Sequence, residues 1–104
     1  KHYHFALGLS FLAVDQNYKS IAALQEAIKL DPMFLDAQYH ICVNFIKTSQ
    51  YEKCIAESEN ILQKNNLYAK AYLVIGHAYK RMGNYLKADE FQKKAVRLDP
   101  SLKQ

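Results

Sequence analysis

The chain has 104 residues, of which 50% are hydrophobic and 23% are charged, and its formal net charge is +4 at pH 7. This length corresponds to about one domain, and the chain is too apolar for a disordered tail. It is too short for a large enzyme fold with a separate cofactor domain. No apolar run approaches the roughly 18 residues that a membrane helix needs.

The charge is distributed unevenly along the chain. Residues 1–68 have six basic and seven acidic side chains and sum to −1, whereas residues 69–104 have eight basic and three acidic ones and sum to +5. A basic patch is compatible with nucleic-acid binding. A lysine-rich, solvated helix surface explains the same pattern, and we favour that interpretation.

A period of 34 residues runs through the sequence. Asp31-Pro32 and Asp99-Pro100 lie 68 residues apart, and Asn65-Asn66 stands midway between them. Steps of 34 align large residues with large ones and small residues with small ones. The large sets are Leu7, Ile41 and Ile75, and Phe11, Phe45 and Tyr79; the small sets are Gly8, Cys42 and Gly76, and Ser20, Cys54 and Ala88. Large residues at helical spacing form a buried stripe and small ones permit close helix contact, so the pattern predicts stacked helix pairs.

The periodicity predicts six helices, near residues 2–14, 19–30, 34–48, 52–64, 68–82 and 86–98. Because the residue before a proline is disfavoured in helical conformation, Asp31 and Asp99 should end their helices. Tyr18 stands one residue later in its repeat than Tyr51 and Tyr85 do. That offset predicts a distorted turn between the first two helices.

The aligned residues resemble the tetratricopeptide repeat, whose pattern is Trp-x2-Leu-Gly-x2-Tyr followed by Ala-x3-Phe, Ala and Pro. The first copy matches it with His4, Leu7, Gly8, Phe11, Ser20, Leu24, Ala27 and Pro32. The third copy matches it with Tyr72, Ile75, Gly76, Tyr79, Ala88, Ala95 and Pro100. The second copy is the most divergent, with Gln38, Ile41, Cys42, Phe45, Cys54, Ile61 and Asn66.

This resemblance covers nearly the whole chain and implies an all-α fold. The expected architecture is an α-α superhelix, or solenoid, of three antiparallel helix-turn-helix repeats with six helices. We place the repeats at residues 1–34, 35–68 and 69–102 of a single domain over residues 1–104. We also expect this domain to be a fragment of a longer protein.

In a solenoid of this kind, the first helix of each pair lines the concave surface. The helix faces opposite the packing stripes predict a groove that is apolar and aromatic over its first two-thirds and basic over its last third. The candidate partner-binding residues are Phe5, Leu9, Leu12, Tyr39, Val43, Ile46, Lys47, Lys70, Leu73, His77, Lys80 and Arg81. We interpret the chain as a protein-interaction module that binds a peptide or helix with apolar and acidic residues, in an adaptor, scaffold or chaperone-like role.

Two other interpretations stay open for this groove. It can be filled by another part of a longer parent chain, in which case these repeats are a structural segment, or by a second copy in a homodimer. Nucleic-acid binding ranks below both, because Asp36 and the aliphatic wall oppose it. The two cysteines make a reduced, cytoplasmic location the default expectation, and we expect no membrane partner. No secretory signal is visible, but targeting segments can lie outside a fragment.

A carboxylate clamp, with which co-chaperones of this family bind acidic C-terminal tails, is not expected. The resemblance would require Lys and Asn at Phe5 and Leu9, Asn at His40, Lys at Lys70 and Arg at Val74, and only Lys70 fits. An apolar trough would leave the two carboxylates of such a tail desolvated without partners.

The sequence contains no catalytic, phosphate-binding or metal-binding motif, so we expect no enzyme activity, cofactor or metal ion. Cys42 and Cys54 are twelve residues apart, which is not a zinc-binding spacing. Both occupy small-residue positions, so we expect buried thiols, which lie close together if the two positions face each other. His2, His4, His40 and His77 also lack a metal-binding spacing.

Overall fold

Six α-helices and a terminal 3-10 turn account for most of the chain. The computed structural model describes residues 1–103. Its helices are α1 (His2–Ala13), α2 (Asn17–Leu30), α3 (Leu35–Lys47), α4 (Tyr51–Lys64), α5 (Ala69–Arg81) and α6 (Tyr85–Leu98), and the 3-10 turn is Pro100–Leu102. Every helix end lies within about two residues of the prediction, which is the ordinary uncertainty of helix boundaries. The predicted all-α fold with six helices is confirmed.

The connections after α2, α4 and α6 share one geometry. Asp31, Asn65 and Asp99 leave their helices in extended conformation, with φ/ψ of −147°/95°, −154°/101° and −143°/96°. In each case the side-chain oxygen accepts a hydrogen bond from the backbone N–H two residues later. These donors are Met33, Leu67 and Ser101, at 3.1, 3.0 and 3.1 Å. The predicted helix ends at Asp31 and Asp99 are confirmed, and Asn65 builds the same turn without a proline.

The turns inside the repeats are also equivalent to one another. Each contains one left-handed residue, namely Asp15 with φ 59°, Ser49 with φ 60° and Gly83 with φ 86°. The predicted distortion of the first turn is wrong. The left-handed residue sets the backbone path, and α2 begins at Asn17, the position at which α4 and α6 also begin. Tyr18 is 76% exposed, so its side chain is not packed into this turn.

Small residues bring the two helices of each repeat into close contact. The Ser20 hydroxyl on α2 donates a 2.7 Å hydrogen bond to the Gly8 carbonyl on α1. A Cβ atom on Gly8 would lie 2.7 Å from Cγ and Cδ2 of Leu24, and one on Gly76 would lie 3.2 Å from the Ala88 carbonyl oxygen. The aligned small residues are therefore the points at which the helix surfaces touch.

In the middle pair, different residues form the equivalent helix contact. Cys42 stands where the other repeats have glycine, and Ser58 stands where the first repeat has Leu24, so a larger residue on α3 faces a smaller one on α4. The Ser58 hydroxyl donates to the Cys54 carbonyl at 2.7 Å and lies 3.3 Å from the Cys42 sulfur. A hydrogen bond with Cys54, together with burial, raises the pKa of the Cys42 thiol. The expectation that both thiols are buried is confirmed, and their hydrogen bond shows that the two positions face each other.

The three pairs stack so that the odd-numbered helices form one layer. α1 contacts α3 and α3 contacts α5, whereas α2, α4 and α6 make no comparable contacts with one another in residues 1–103. This difference makes α1, α3 and α5 the inner layer of the superhelix. None of the helices in residues 1–103 combines the length and apolarity needed to cross a membrane.

The contact at Gly8 gives a test of the helix packing. We expect Gly8→Ala to lower the free energy of unfolding, because overpacking against the fully buried Leu24 costs about 1–3 kcal/mol and outweighs the roughly 1 kcal/mol that alanine gains in helix propensity. In a Leu24→Ala background the clash is absent. There Gly8→Ala should raise the free energy of unfolding, as measured by urea denaturation.

Ser10→Ala, an exposed substitution on the same helix, serves as the control and should change stability by less than about 0.5 kcal/mol. An equal effect of Gly8→Ala in both backgrounds would contradict the packing described here, since the two residues would then act independently.

Candidate partner-binding groove

Aromatic rings from α1, α3 and the connection before α3 form the first part of the inner surface. The ring of Phe5 lies 4.7 Å from that of Phe34 and 5.7 Å from that of His40, measured between centroids. His2 adds an edge-to-face contact with Phe34 at 5.8 Å. Phe5 and Phe34 also pack against the buried cluster of α2 and α3 that contains Leu24. The rings of Phe5 and Phe34 are therefore fixed by their contacts with this buried cluster.

A second aromatic group lies between the starts of α3 and α5. Tyr39 and Tyr68 have ring centroids 6.5 Å apart, and the Lys70 ammonium stands 5.7 Å from the centroid of Tyr39. The Tyr68 hydroxyl donates a hydrogen bond to the carboxylate of Asp36. Burial raises the pKa of both tyrosines, and the hydrogen bond to Asp36 raises that of Tyr68 further. Both hydroxyls therefore stay protonated, and the charge of Lys70 rests on an aromatic face.

A cavity of about 530 Å³ opens at the other end of α3 and α5. Its lining residues are Ile46, His77, Lys80, Arg81 and Tyr85. The side chains of Lys80 and Arg81 form no hydrogen bond or ion pair with any group in residues 1–103. Lys47, in contrast, forms an ion pair with Asp15 at 3.5 Å.

The structure separates the basic residues that the sequence grouped together. Lys70 lies at the start of α5, whereas Lys80 and Arg81 lie in its last turn, about 15 Å away along the helix. Lys47 is neutralised by Asp15. Of the predicted basic third, Lys80 and Arg81 lie together at one cavity and have no ion pair in residues 1–103, whereas Lys70 rests on the ring of Tyr39.

The predicted apolar residues differ in the surface that they offer. Phe5, Leu9, Tyr39, Val43 and Ile46 are half-buried and present part of their side chains. Leu12 and Leu73 are only 9% and 8% exposed, because they pack into the interior between helices. These two residues can support the groove but offer a partner little surface. Their role in binding stays a prediction.

Three residues of the inner surface were not among the sequence-derived candidates, namely Phe34, Tyr68 and Tyr85. Phe34 and Tyr68 are 34 residues apart and precede α3 and α5. Their 34-residue spacing was the available signal, but they lie in the connections and not on the helix faces from which the groove was predicted. Tyr85 begins α6, on the second helix of its pair, and reaches the cavity from there.

Metal-binding geometry is absent from the described part of the chain. No group of three or more His, Cys, Asp or Glu side chains in residues 1–103 is arranged to hold a metal ion. His40 contacts the backbone instead, with its Nδ1 atom 2.7 Å from the Asp36 carbonyl oxygen. The groups that the inner surface exposes are apolar, aromatic and cationic side chains.

Several solved structures share this architecture. The crystal structure of MamA is 28% identical, with a TM-score of 0.80, and matches 94% of this chain. The Sgt2 repeat domain from Aspergillus fumigatus is 19% identical, with a TM-score of 0.88 over 99% of this chain and 68% of its own. The first such domain of Spaghetti (RPAP3), solved with the HSP90 peptide SRMEEVD, is 14% identical, with a TM-score of 0.84 over 94% of this chain and 78% of its own.

This chain spans 57% of the length of the MamA chain that it matches. No curated protein matches its sequence. The family model of the tetratricopeptide repeat matches residues 2–32 and 69–102, which is more than half of the chain. The range between them contains most of the divergent second repeat, in which Gln38 and Cys42 replace the usual aromatic residue and glycine. By sequence and by fold, the chain belongs to the tetratricopeptide repeat family.

Proposed function

We propose that this chain is a protein-interaction module that binds a peptide or a helix of a partner protein along its inner surface. One observation carries the proposal. A strip of half-buried apolar and aromatic side chains on α1 and α3 continues into a cavity that contains two cations without acidic partners. The partner chemistry that complements this surface is an apolar segment followed by an anionic group.

The apolar strip would supply most of the affinity. Tyr39, Val43 and Ile46 pack on the buried cluster of α3, α4 and α5, so their outer surfaces are already ordered. Burial of one large apolar side chain of a partner against them contributes about 1.5–3 kcal/mol. Little side-chain entropy is lost because the rings are held in place before binding. The cationic cavity would set the direction in which the partner lies.

The fold supports this use by analogy. The Spaghetti domain, which has the same fold, was solved with a bound peptide. The family model and the related structures named above describe repeat domains rather than enzymes. We therefore propose a non-catalytic role in holding partner proteins together.

Peptide binding can be tested with peptides selected from a displayed random library. We expect Tyr39→Ala to weaken their binding at least tenfold in fluorescence anisotropy, a loss of about 1.4 kcal/mol, because it removes the central ring of the strip. Tyr18→Ala is the matched control, since it makes the same change at an exposed position off the inner surface, and should alter affinity less than about twofold. Circular dichroism checks that both variants fold.

Light scattering on the same samples addresses the homodimer. A monomer that binds peptides through Tyr39 and Phe5 agrees with the proposal. A stable dimer that Tyr39→Asp dissociates would contradict it and would assign the inner surface to a second copy of the chain.

We further propose that the chain does not bind acidic tails through a carboxylate clamp. Of the positions that would have to supply donors, Phe5 is packed on Phe34, and Val74 is buried at 2% exposure. Lys70, which lies over Tyr39, is the one clamp position with the required residue type. The peptide SRMEEVD should show no saturable binding up to about 1 mM, the limit of a weak complex of about 4 kcal/mol. Saturable binding that Lys70→Ala abolishes and Lys53→Ala preserves would overturn this prediction.

A further inference from the structure

Equivalent basic residues at the two junctions between repeats differ in whether they form an ion pair. Lys47 and Arg81 are 34 residues apart and occupy the last turns of α3 and α5. At the first junction, Lys47 reaches Asp15 in the turn of the preceding repeat, at 3.5 Å. The residue that corresponds to Asp15 at the second junction is Ser49, which has the same left-handed backbone, with φ 60° against 59°. By this correspondence Arg81 is equivalent to the paired Lys47, but the residue equivalent to Asp15 is a serine and not an acid.

Two neighbouring changes turn this position into a cavity with a net positive charge. Lys80 replaces Ile46 of the preceding repeat and adds a second cation. Tyr85 is 68% exposed, whereas the corresponding Tyr51 is half-buried against the core. No acidic side chain is among the lining residues of this 530 Å³ cavity in residues 1–103. The cavity thus combines two charged donors and a phenol hydroxyl with an apolar edge at Ile46.

We propose that this cavity binds a phosphorylated serine or threonine of the peptide in the groove. The inference rests on the proposed function, because it assigns one subsite of the same surface. A phosphoryl group has a charge of about −1.5 to −2 at pH 7 and can neutralise both Lys80 and Arg81. A single carboxylate would leave one of the two cations uncompensated.

The donor set suits this group in its hydrogen-bonding capacity as well as in its charge. A guanidinium such as that of Arg81 can donate two parallel hydrogen bonds to phosphate oxygens, and an ammonium such as that of Lys80 binds phosphate as a point charge. The Tyr85 hydroxyl can donate to a remaining oxygen. With the phosphoryl group at the ends of α3 and α5, the apolar residues of the peptide lie towards Tyr39.

Small probes test the cavity without a known partner. N-acetyl-O-phosphoserine amide and N-acetylaspartate amide are titrated into the 15N-labelled chain at constant ionic strength. We expect saturable NMR shifts at residues 80–85 with the phosphoserine probe, and at least about fivefold weaker binding of the aspartate probe, since it has one charge fewer. Equal binding of the two probes, or no saturable shift with either, would overturn the assignment.

Matched variants test the residues that carry the inference. Arg81→Ala should weaken binding of the phosphoserine probe at least about tenfold. Arg97→Ala removes the same side chain from the exposed end of α6 and should leave binding unchanged. Ser49→Asp restores the acid that Lys47 has at the first junction, so it should neutralise Arg81 and suppress binding, whereas the uncharged Ser49→Asn should preserve it. Loss of binding with Arg97→Ala, or full binding with Ser49→Asp, would contradict the proposal.

The outcomes separate this inference from the proposed function. If Tyr39→Ala abolishes binding of selected peptides but the phosphoserine probe never binds, the inference fails and the groove stands. If the probe binds and Tyr39→Ala has no effect on peptides, the groove assignment fails and the cavity stands as a separate anion site. Tighter binding of a single-stranded oligonucleotide, steeply salt-dependent and lost with Arg81→Ala, would assign the cavity to nucleic acid and overturn the inference.

Discussion

The close approach of the two helices in each repeat determines how the rest of the chain is arranged. At this contact a residue of the first helix, Gly8, Cys42 or Gly76, lies against a small residue of the second, Ser20, Cys54 or Ala88. In the first pair the small residue, Gly8, is on the first helix and packs against the large Leu24 on the second. In the second pair the larger residue, Cys42, is on the first helix and packs against the smaller Ser58 on the second. Because the packing face of each first helix is committed to this contact, its opposite face is left to form the inner surface of the superhelix.

The inner surface is ordered because its side chains have two roles. Tyr39, Val43 and Ile46 touch the core on one side and face outwards on the other, and Phe5 does the same through Phe34. Its electrostatics follow from the repeat in a similar way. The superhelix places Lys47 beside Asp15 in the turn of the preceding repeat, whereas in the next repeat the corresponding residues are Arg81 and Ser49, and Arg81 has no ion pair in residues 1–103.

The helices and turns could be predicted from the sequence because they depend on local, repeated signals. Spacing of large and small residues located all six helices, and Asn65 could be placed as a turn residue although the proline is missing. The inner surface was predicted less completely. Burial of Leu12 and Leu73 depends on neighbouring helices, and the pairing of Lys47 with Asp15 crosses from one repeat to the next. Such contacts depend on how the repeats stack, which residue spacing along one helix does not specify.

A partner is proposed to bind the surface that α1, α3 and α5 form. Hydrogen–deuterium exchange of the chain, alone and saturated with a selected peptide, tests this proposal directly. We predict that bound peptide slows amide exchange in His2–Ala13, Leu35–Lys47 and Ala69–Arg81. Exchange at the solvent-exposed amides of Asn17–Leu30 and Tyr51–Lys64 should stay unchanged. Protection confined to α2, α4 or α6 would show that the partner binds the outer layer, and would contradict the proposal.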